Sequence, residues 1–165
     1  MNYIFAPWRK EYILQACDMT ECIFCSALKA NNDSESLILY RGDHNFIISN
    51  KFPYNPGHLM IAPYRHLDSM EKSSREESNE LMVLLQVCLK NLRKKYNPHG
   101  FNTGMNIGRS AGAGVIDHYH LHIIPRWTGD SNFMPIIGET RVTIEDLKQT
   151  YRRLAPMFQN GLGKK

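Results

Sequence analysis

The sequence predicts an α+β domain: a five-stranded antiparallel sheet with one long helix and a C-terminal helix. Three short apolar segments joined by tight turns, at 37–41, 45–50 and 58–63, favour an antiparallel meander. A long amphipathic stretch follows, and two further strand-like segments, 101–108 and 117–125, come after it. With a last amphipathic stretch near the C-terminus, the predicted order is β-β-β-α-β-β-α, in a chain without internal repeats.

The connections between these elements carry turn signals. Gly42-Asp43 joins the first two strands, and the 51–57 segment, which is rich in proline, is the longer loop before the third. Upstream, Cys22-Ile23-Phe24-Cys25 leads into one or two predicted helical turns, and 31–36 is predicted as a polar loop. The N-terminal residues 1–19 lack clear periodicity and are interpreted as an ordered arm packed on the domain or on a partner subunit.

Two segments have the apolar periodicity of amphipathic helices. The longer one stops at Asn97-Pro98 and Gly100, and its apolar stripe comprises Leu81, Leu84, Leu85, Cys88, Leu89 and Leu92. The last helix is predicted to begin near Thr143, with Asp146 completing a capping-box-like pattern. Its stripe comprises Ile144, Leu147, Tyr151 and Leu154.

Length and composition indicate one domain over residues 1–165, with a core at about 20–130 between the N-terminal arm and a C-terminal extension, 131–165. The net charge of +4 suits a small anionic substrate but falls short of a nucleic-acid footprint. No apolar run is long enough to span a membrane, and no signal-peptide pattern is present. We therefore expect a cytoplasmic protein with no nucleic-acid or membrane partner, whose four cysteines are thiols or metal ligands.

The last predicted strand contains an alternating row of histidines. His118, His120 and His122 are interleaved with apolar residues, and a period of two is typical of a strand, so the histidines share one face at steps of about 6.7 Å. Such a row can be a metal site, a catalytic array for phosphoryl or acyl transfer, or a set of surface histidines. The glycine-rich loop 108–114 precedes it, and amides in such a loop can bind an anion. An imidazole is largely unprotonated near neutral pH and is then a competent nucleophile at phosphorus.

The stretch from His118 to Ile124 resembles the His-x-His-x-His-apolar-apolar motif of the histidine triad (HIT) superfamily of nucleotide hydrolases and transferases. The segment Asn55–Pro63 is similar to that family's Pro-Gly-His strand, and the predicted element order fits a HIT-like fold. The resemblance covers roughly residues 20–130. The 127–133 segment and the C-terminal helix are similar to the diadenosine polyphosphate branch, particularly to bacterial diadenosine tetraphosphate phosphorylases.

This resemblance implies an enzyme that binds an adenine dinucleoside polyphosphate and cleaves it at the α-phosphate through a nucleotidyl-histidine. His120 is the implied nucleophile, His122 the group that stabilises charge on a phosphate oxygen, and Asn106 a contact to the phosphate and leaving group. The resemblance implies nucleotide contacts for six further residues: Asn50 at the ribose hydroxyls, Ile48 and Met60 beside the base, and Ser110, Gly112 and Ala113 in the loop. Ordinary core packing explains Ile48 and Met60 equally well.

One position departs from the pattern of the fragile-histidine-type hydrolases, which carry Gln where this chain has Ala113. The missing amide fits the phosphorylase branch better, in which phosphate is the acceptor and diadenosine tetraphosphate gives ATP and ADP. Arg109, Ser110 and Arg126 are candidate donors to that phosphate, although each can equally be a solvated surface residue.

The pair Cys22-x-x-Cys25 is ambiguous by itself, since half of a zinc site, a redox pair and two buried thiols all fit it. A tetrahedral zinc site requires two more ligands. Resemblance to HIT relatives and to galactose-1-phosphate uridylyltransferases implies that His66 and His118 supply them, the latter also belonging to the catalytic row. A structural zinc ion is therefore expected.

Other functions remain compatible with these residues. A nucleotide sensor with slow turnover would use the same pocket, and other nucleotides, such as diadenosine triphosphate or nucleoside phosphoramidates, would suit the same chemistry. A zinc enzyme with all three histidines of the row as ligands is a third interpretation. A homodimer is expected, because a short sheet leaves open edges and HIT relatives pair through a strand edge and the long helix.

Overall fold

The structure, a computed structural model, describes residues 21–30, 32–130 and 145–159. The predicted N-terminal arm, Thr143 and Ile144 lie outside these ranges. The helices are α1 (Ile23–Lys29), α2 (Asp33–Ser36), α3 (Arg75–Tyr96) and α4 (Leu147–Gln159). The strands are β1 (Ile38–Arg41), β2 (Asn45–Ser49), β3 (Leu59–Pro63), β4 (Gly100–Gly104) and β5 (Leu121–Arg126).

The strands form one antiparallel sheet in the order β1-β2-β3-β5-β4, which confirms the predicted fold class. Strand β5, which carries the end of the histidine motif, lies between β3 and β4 rather than at an edge. Its register places Met60 on one side of His122 and Gly104 on the other. His122 is therefore flanked by residues of both neighbouring strands.

One face of the sheet is buried under the two longer helices. Leu59, Ile61 and Ile123 point to this side and are fully buried. The helical residues packed on them include Leu81, Leu84, Cys88 and Leu92 of α3 and Leu154 and Phe158 of α4. Removal of this apolar surface from water is the main stabilising contribution to such a domain.

Helix α3 has strong signals at both ends. The Ser74 hydroxyl accepts a hydrogen bond from the Glu77 amide, while the Glu77 carboxylate accepts one from the Ser74 amide, which forms a capping box. At the other end Asn97 adopts the left-handed conformation directly before Pro98. Among the described residues, no helix combines the length and the apolar character needed to cross a bilayer.

The opposite face of the sheet carries the candidate site. A second apolar cluster, which consists of Phe24, Ile38, Phe46, Ile48, Met60 and Ala62, packs there beneath α1. Towards β4 this cover ends, because Asn102 and Gly104 are exposed. The face is thus closed on the β1–β3 side and open on the β4 side.

Two predicted strand boundaries are wrong. Strand β5 begins at Leu121 instead of including His118, because the Tyr119 amide donates to the Leu67 carbonyl at 2.7 Å, outside the sheet. Strand β4 ends at Gly104 instead of Gly108, since its last pairing partner is His122 and the residues before β5 have left the sheet.

Two helix predictions also need correction. The segment predicted as a polar loop contains α2, because the Asn32 side chain caps it by accepting a hydrogen bond from the Glu35 amide. Helix α4 begins at Leu147, and the Asp146 carboxylate accepts from the Gln149 amide at 2.8 Å. Asp146 is therefore the N-cap itself and not the third residue of a helix that starts earlier.

Candidate active site and metal centre

The alternation predicted for the histidine motif is present, although only part of it is strand. Tyr119, Leu121 and Ile123 are buried in the core on the helical side. His120 and His122 lie together, with ring centroids 4.7 Å apart and planes at 73°. Two imidazoles at this distance can act on a single phosphate group.

The hydrogen bond made by His120 fixes its tautomer. Its Nδ1 lies 3.0 Å from the His118 carbonyl oxygen, which can only accept, so Nδ1 carries the proton. The lone pair is then on Nε2, the nitrogen that can attack an electrophile. Burial lowers the pKa of His120, which keeps the ring uncharged and nucleophilic at neutral pH.

His122 has the complementary tautomer, and His58 is the reason. The Tyr54 amide donates to Nδ1 of His58 at 3.1 Å, so His58 is protonated on Nε2 and donates from it to Nδ1 of His122 at 2.9 Å. His122 therefore carries its proton on Nε2, as a donor. Burial lowers the pKa of His58 to about 3 and that of His122 to about 4, so both rings are neutral.

The sequence assigns no role to His58, although this residue lies in the Asn55–Pro63 segment that resembles the Pro-Gly-His strand. The register of β3 against β5 indicates its role. Met60 pairs with His122, and His58 lies two residues before Met60, so its side chain points to the same face as His122. Without knowing that β3 and β5 are neighbours, that relation could not be used.

The predicted metal ligands come together. The ligand atoms of Cys22, Cys25, His66 and His118 all lie within 4.8 Å of one another. The distance from sulfur to Nδ1 is 3.4 Å for Cys22 and His118 and 3.3 Å for Cys25 and His66. Ideal tetrahedral zinc coordination places sulfur and nitrogen ligands about 3.6 Å apart. The donor types and their spacing therefore fit a zinc ion.

His118 is further oriented as metal ligands usually are. Its second nitrogen, Nε2, is 2.9 Å from the Pro63 carbonyl oxygen, which requires a proton there and leaves Nδ1 for the cluster. Both nitrogens of His118 thus have partners other than His122, namely the Cys22 sulfur and the Pro63 carbonyl oxygen. This arrangement is incompatible with a site in which all three histidines of the row bind one metal.

The cluster of candidate metal ligands contacts the candidate nucleophile. Phe24, between the two cysteines on α1, is fully buried, and its ring centroid lies 5.2 Å from His118 and 4.9 Å from His120. The His118 carbonyl also holds His120, as described above. The cluster and the nucleophile therefore share two contacts.

The candidate nucleotide contacts lie on the same face. Ile48 pairs with Met60, which pairs with His122, so these three side chains form a row across the sheet. Ile48 and Met60 are buried in the cluster with Phe24, which satisfies the core-packing explanation. Asn50 reaches the histidines, since its Nδ2 lies 3.3 Å from Nδ1 of His58. Their predicted contacts to base and ribose stay predictions.

The predicted phosphate loop is partly engaged with itself. Ser110 lies in a 3-10 turn, Arg109–Ala111, and is exposed. The amides of Gly112 and Ala113 donate to the carbonyls of Arg109 and Gly108 within the turn. Anion binding through those two amides would require these bonds to be exchanged, so the role predicted for them stays a prediction. Asn106 follows the end of β4 and is half-buried.

Arg126, one of the three candidate phosphate donors, is engaged with other side chains of the protein. Its guanidinium forms a bidentate ion pair with Asp130, at 2.6 and 2.8 Å, and also donates to the Asn102 side chain. Asp130 further accepts from Asn55, which ties the loop before β3 to the end of β5. In this conformation the Arg126 guanidinium is used at the edge of the site, and its predicted phosphate contact stays a prediction.

Comparison with known proteins gives a consistent result. The profile of the HIT domain matches residues 31–129. An AP-4-A phosphorylase from Mycobacterium tuberculosis is 44% identical over 124 residues, which are 75% of this chain and 64% of that protein. The match thus covers a little under two thirds of that relative. A bis(5'-adenosyl)-triphosphatase from Dictyostelium discoideum is 26% identical over 79% of this chain and 91% of that protein.

Solved structures agree on the fold. A Zn-bound histidine triad family protein from Mycobacterium smegmatis superposes with a TM-score of 0.67 at 21% identity, covering 84% of this chain and 93% of that one. At 21% identity this similarity shows a shared fold and nothing about function.

Proposed function

The chain belongs to the HIT family, and on that premise we propose that it is an enzyme that cleaves diadenosine polyphosphates at the α-phosphate with His120 as nucleophile. The observation that supports this most is the pair of opposite tautomers. His120 presents a lone pair on Nε2, while His122 presents a proton on Nε2. A nucleophile and a hydrogen-bond donor 4.7 Å apart, between ring centroids, suit phosphoryl transfer.

In the proposed reaction, Nε2 of His120 forms a bond to the α-phosphorus as the bond to the bridging oxygen breaks. The leaving nucleotide departs with that oxygen, and His122 donates a hydrogen bond to the developing negative charge. An acceptor oxygen then attacks the same phosphorus and restores His120. Water gives AMP, whereas inorganic phosphate gives ADP.

The proposal is tested by incubating the protein with diadenosine tetraphosphate and resolving the products by chromatography. Turnover faster than nucleotide dissociation supports an enzyme. A protein that binds the dinucleotide but converts it more slowly than it releases it would be a nucleotide sensor, and the enzymatic proposal would be wrong. Diadenosine triphosphate and a nucleoside phosphoramidate, run in parallel, rank the alternative substrates.

We predict that phosphate is at least as good an acceptor as water. Millimolar phosphate should shift the products from AMP and ATP to ADP and ATP, because a phosphate held against the α-phosphorus gains the advantage of orientation. Ala113, in place of the hydrolases' Gln, and the similarity to an AP-4-A phosphorylase support this. Equal rates of AMP formation with and without phosphate would contradict it. With Arg126 paired to Asp130, Arg109 and Ser110 are the remaining candidates for the phosphate contact.

We predict that replacing His58 by Phe lowers kcat about 10- to 100-fold while the fold is retained. The ring volume is kept, but His122 loses the donor that fixes its tautomer, and an incorrectly protonated imidazole is a poor catalytic partner. Steady-state kinetics and circular dichroism measure the two effects. His99→Phe is the matched control, because His99 is exposed and its ring bonds only Thr128 among the described residues. An unchanged kcat in His58→Phe would remove His58 from the mechanism.

We propose that the ion at the Cys22–Cys25–His66–His118 cluster is zinc and that its role is structural. All four positions are filled by protein ligands, which is typical of structural sites, whereas catalytic zinc keeps an open position. When bound, the metal would cross-link α1 to the segments after β3 and before β5. We propose a cytoplasmic location, because the thiols of Cys22, Cys25 and Cys88 are free and free thiols are the norm in the cytoplasm.

We predict a homodimer. The β1 edge is covered in part, since the Tyr151 hydroxyl of α4 donates to the Ile38 carbonyl, whereas β4 is exposed along Asn102–Gly104. An exposed strand edge favours pairing with a second copy, and Met82 and Val83 add exposed apolar surface on α3. Light scattering should give twice the mass of one 19.1 kDa chain. A particle with the mass of one chain at micromolar concentration would contradict this, and Val83→Lys should shift a dimer towards it.

A further inference from the structure

An aromatic side chain stands at the surface next to the catalytic histidines and has no part in the mechanism above. Tyr54, in the loop between β2 and β3, is 48% exposed. Its ring stacks on His58, with centroids 5.0 Å apart and planes at 26°, and its centroid is 6.3 Å from that of His122. A large apolar surface is thus presented at the edge of the phosphate-binding region.

The loop that carries this ring is held at several points. The Tyr54 amide is bonded to His58, and the side chain of the next residue, Asn55, donates to the Pro125 carbonyl and to Asp130, each at 2.9 Å. Gly57 has a φ of +74°, and a Cβ there would lie 3.2 Å from Leu92. A ring on so constrained a loop loses little conformational entropy when a ligand stacks on it.

The space around His122 indicates what would stack there. On one side, the row through Met60 and Ile48 leads to the surface expected to hold one base. On the other side is Gly104, where an added Cβ would meet nothing within 4 Å. A dinucleoside polyphosphate extends from the reacting phosphorus in both directions, so its leaving half requires a second surface. Among the described residues, Tyr54 offers an exposed aromatic ring 6.3 Å from His122, between ring centroids.

We propose that Tyr54 is the stacking platform for the base of the leaving nucleotide, which makes it a specificity-determining residue for substrates with two nucleosides. This inference rests on the proposed function. Stacking on an aromatic ring tolerates any base, because every base has a π-face. The leaving half is therefore recognised as a nucleoside rather than as adenine, and diadenosine and adenosine–guanosine tetraphosphates should both be substrates.

The test compares two substrates in three proteins. Diadenosine tetraphosphate and adenosine 5'-tetraphosphate carry the same phosphate chain, but the second compound lacks the leaving nucleoside. For wild type, Tyr54→Ala and Tyr54→Phe, kcat/KM is measured on both. Tyr54→Ala should lower the ratio of kcat/KM for the dinucleotide over the mononucleotide by about tenfold or more. Tyr54→Phe, which keeps the ring, should retain most of the wild-type ratio.

Equal losses on both substrates in Tyr54→Ala would overturn the proposal and show that the ring acts only by supporting His58. No loss on either substrate would overturn it too, as would a loss that accompanies a changed oligomeric state by light scattering. Calorimetric binding to His120→Ala and to His120→Ala/Tyr54→Ala separates the two proposals, since it requires no turnover. A loss of dinucleotide affinity on removal of Tyr54, in a protein whose wild type turns over neither substrate, would support the stacking site and reject the enzymatic function.

Discussion

Replacing His120 by Ala should abolish turnover of diadenosine tetraphosphate almost completely, with a fall in kcat on the order of 1,000-fold or more. The reason is that no other group described at the site presents an imidazole lone pair to the phosphate. His122 is protonated on the nitrogen that faces away from His58, and both nitrogens of His118 are engaged. Dinucleotide binding should survive, because the predicted contacts to base and ribose involve other residues, Asn50, Ile48 and Met60. Steady-state kinetics and calorimetry measure the two quantities.

The control for this experiment is His44→Ala, which removes an exposed imidazole without a predicted role and should leave kcat unchanged. Intact-mass spectrometry of rapidly quenched samples adds a direct observation. A nucleotidyl adduct should form on wild type and be absent from His120→Ala. Near-native turnover in His120→Ala would disprove the covalent mechanism, and an adduct on that variant would transfer the nucleophilic role to another residue.

The parts of the site that are encoded locally could be predicted from sequence. Alternation by two residues is a property of a single strand, so the opposite orientation of His122 and Ile123 followed from the motif alone. The apolar stripe and end signals of α3 likewise predicted a helix that stops before Asn97. The metal quartet required more than spacing, since its four ligands come from three distant segments, and resemblance to a family supplied the missing pairing.

What could not be predicted depends on which elements are neighbours. His58 acquires its role from the pairing of β3 with β5, across 64 positions of sequence. Strand β5 starts later than predicted because the Tyr119 amide donates to the Leu67 carbonyl, a long-range contact that no local propensity encodes. The same holds for Arg126, for which the sequence leaves a phosphate donor and a surface residue equally open and which is paired with Asp130 in the fold. A sequence shows that a residue is charged, but it does not show which residue that charge contacts in the fold.

Replacing Cys25 by Ser should lower the free energy of unfolding by several kcal/mol and reduce the metal content to near zero, because metal binding at such a site is coupled to folding. The cost should stay below that seen in peptides that fold only with zinc. This domain has a separate core between the sheet and α3, which lies outside the metal cluster. Denaturant unfolding with and without a chelator, together with elemental analysis of protein prepared without added metal, measures both effects.

A chelator should destabilise wild type to about the level of Cys25→Ser and leave the variant unaffected, since both treatments remove the same cross-link. Cys88→Ala is the matched control: Cys88 is a buried thiol of the main core, so its loss should leave the metal content unchanged. An intact fold with no metal in wild type would refute the zinc assignment. Loss of the metal should also lower kcat. Helix α1 would no longer be held in place, and Phe24 would then lose its contact with the His120 ring. A fall in kcat on chelation that exceeds the unfolded fraction would therefore identify the structural zinc as a support of the nucleophile.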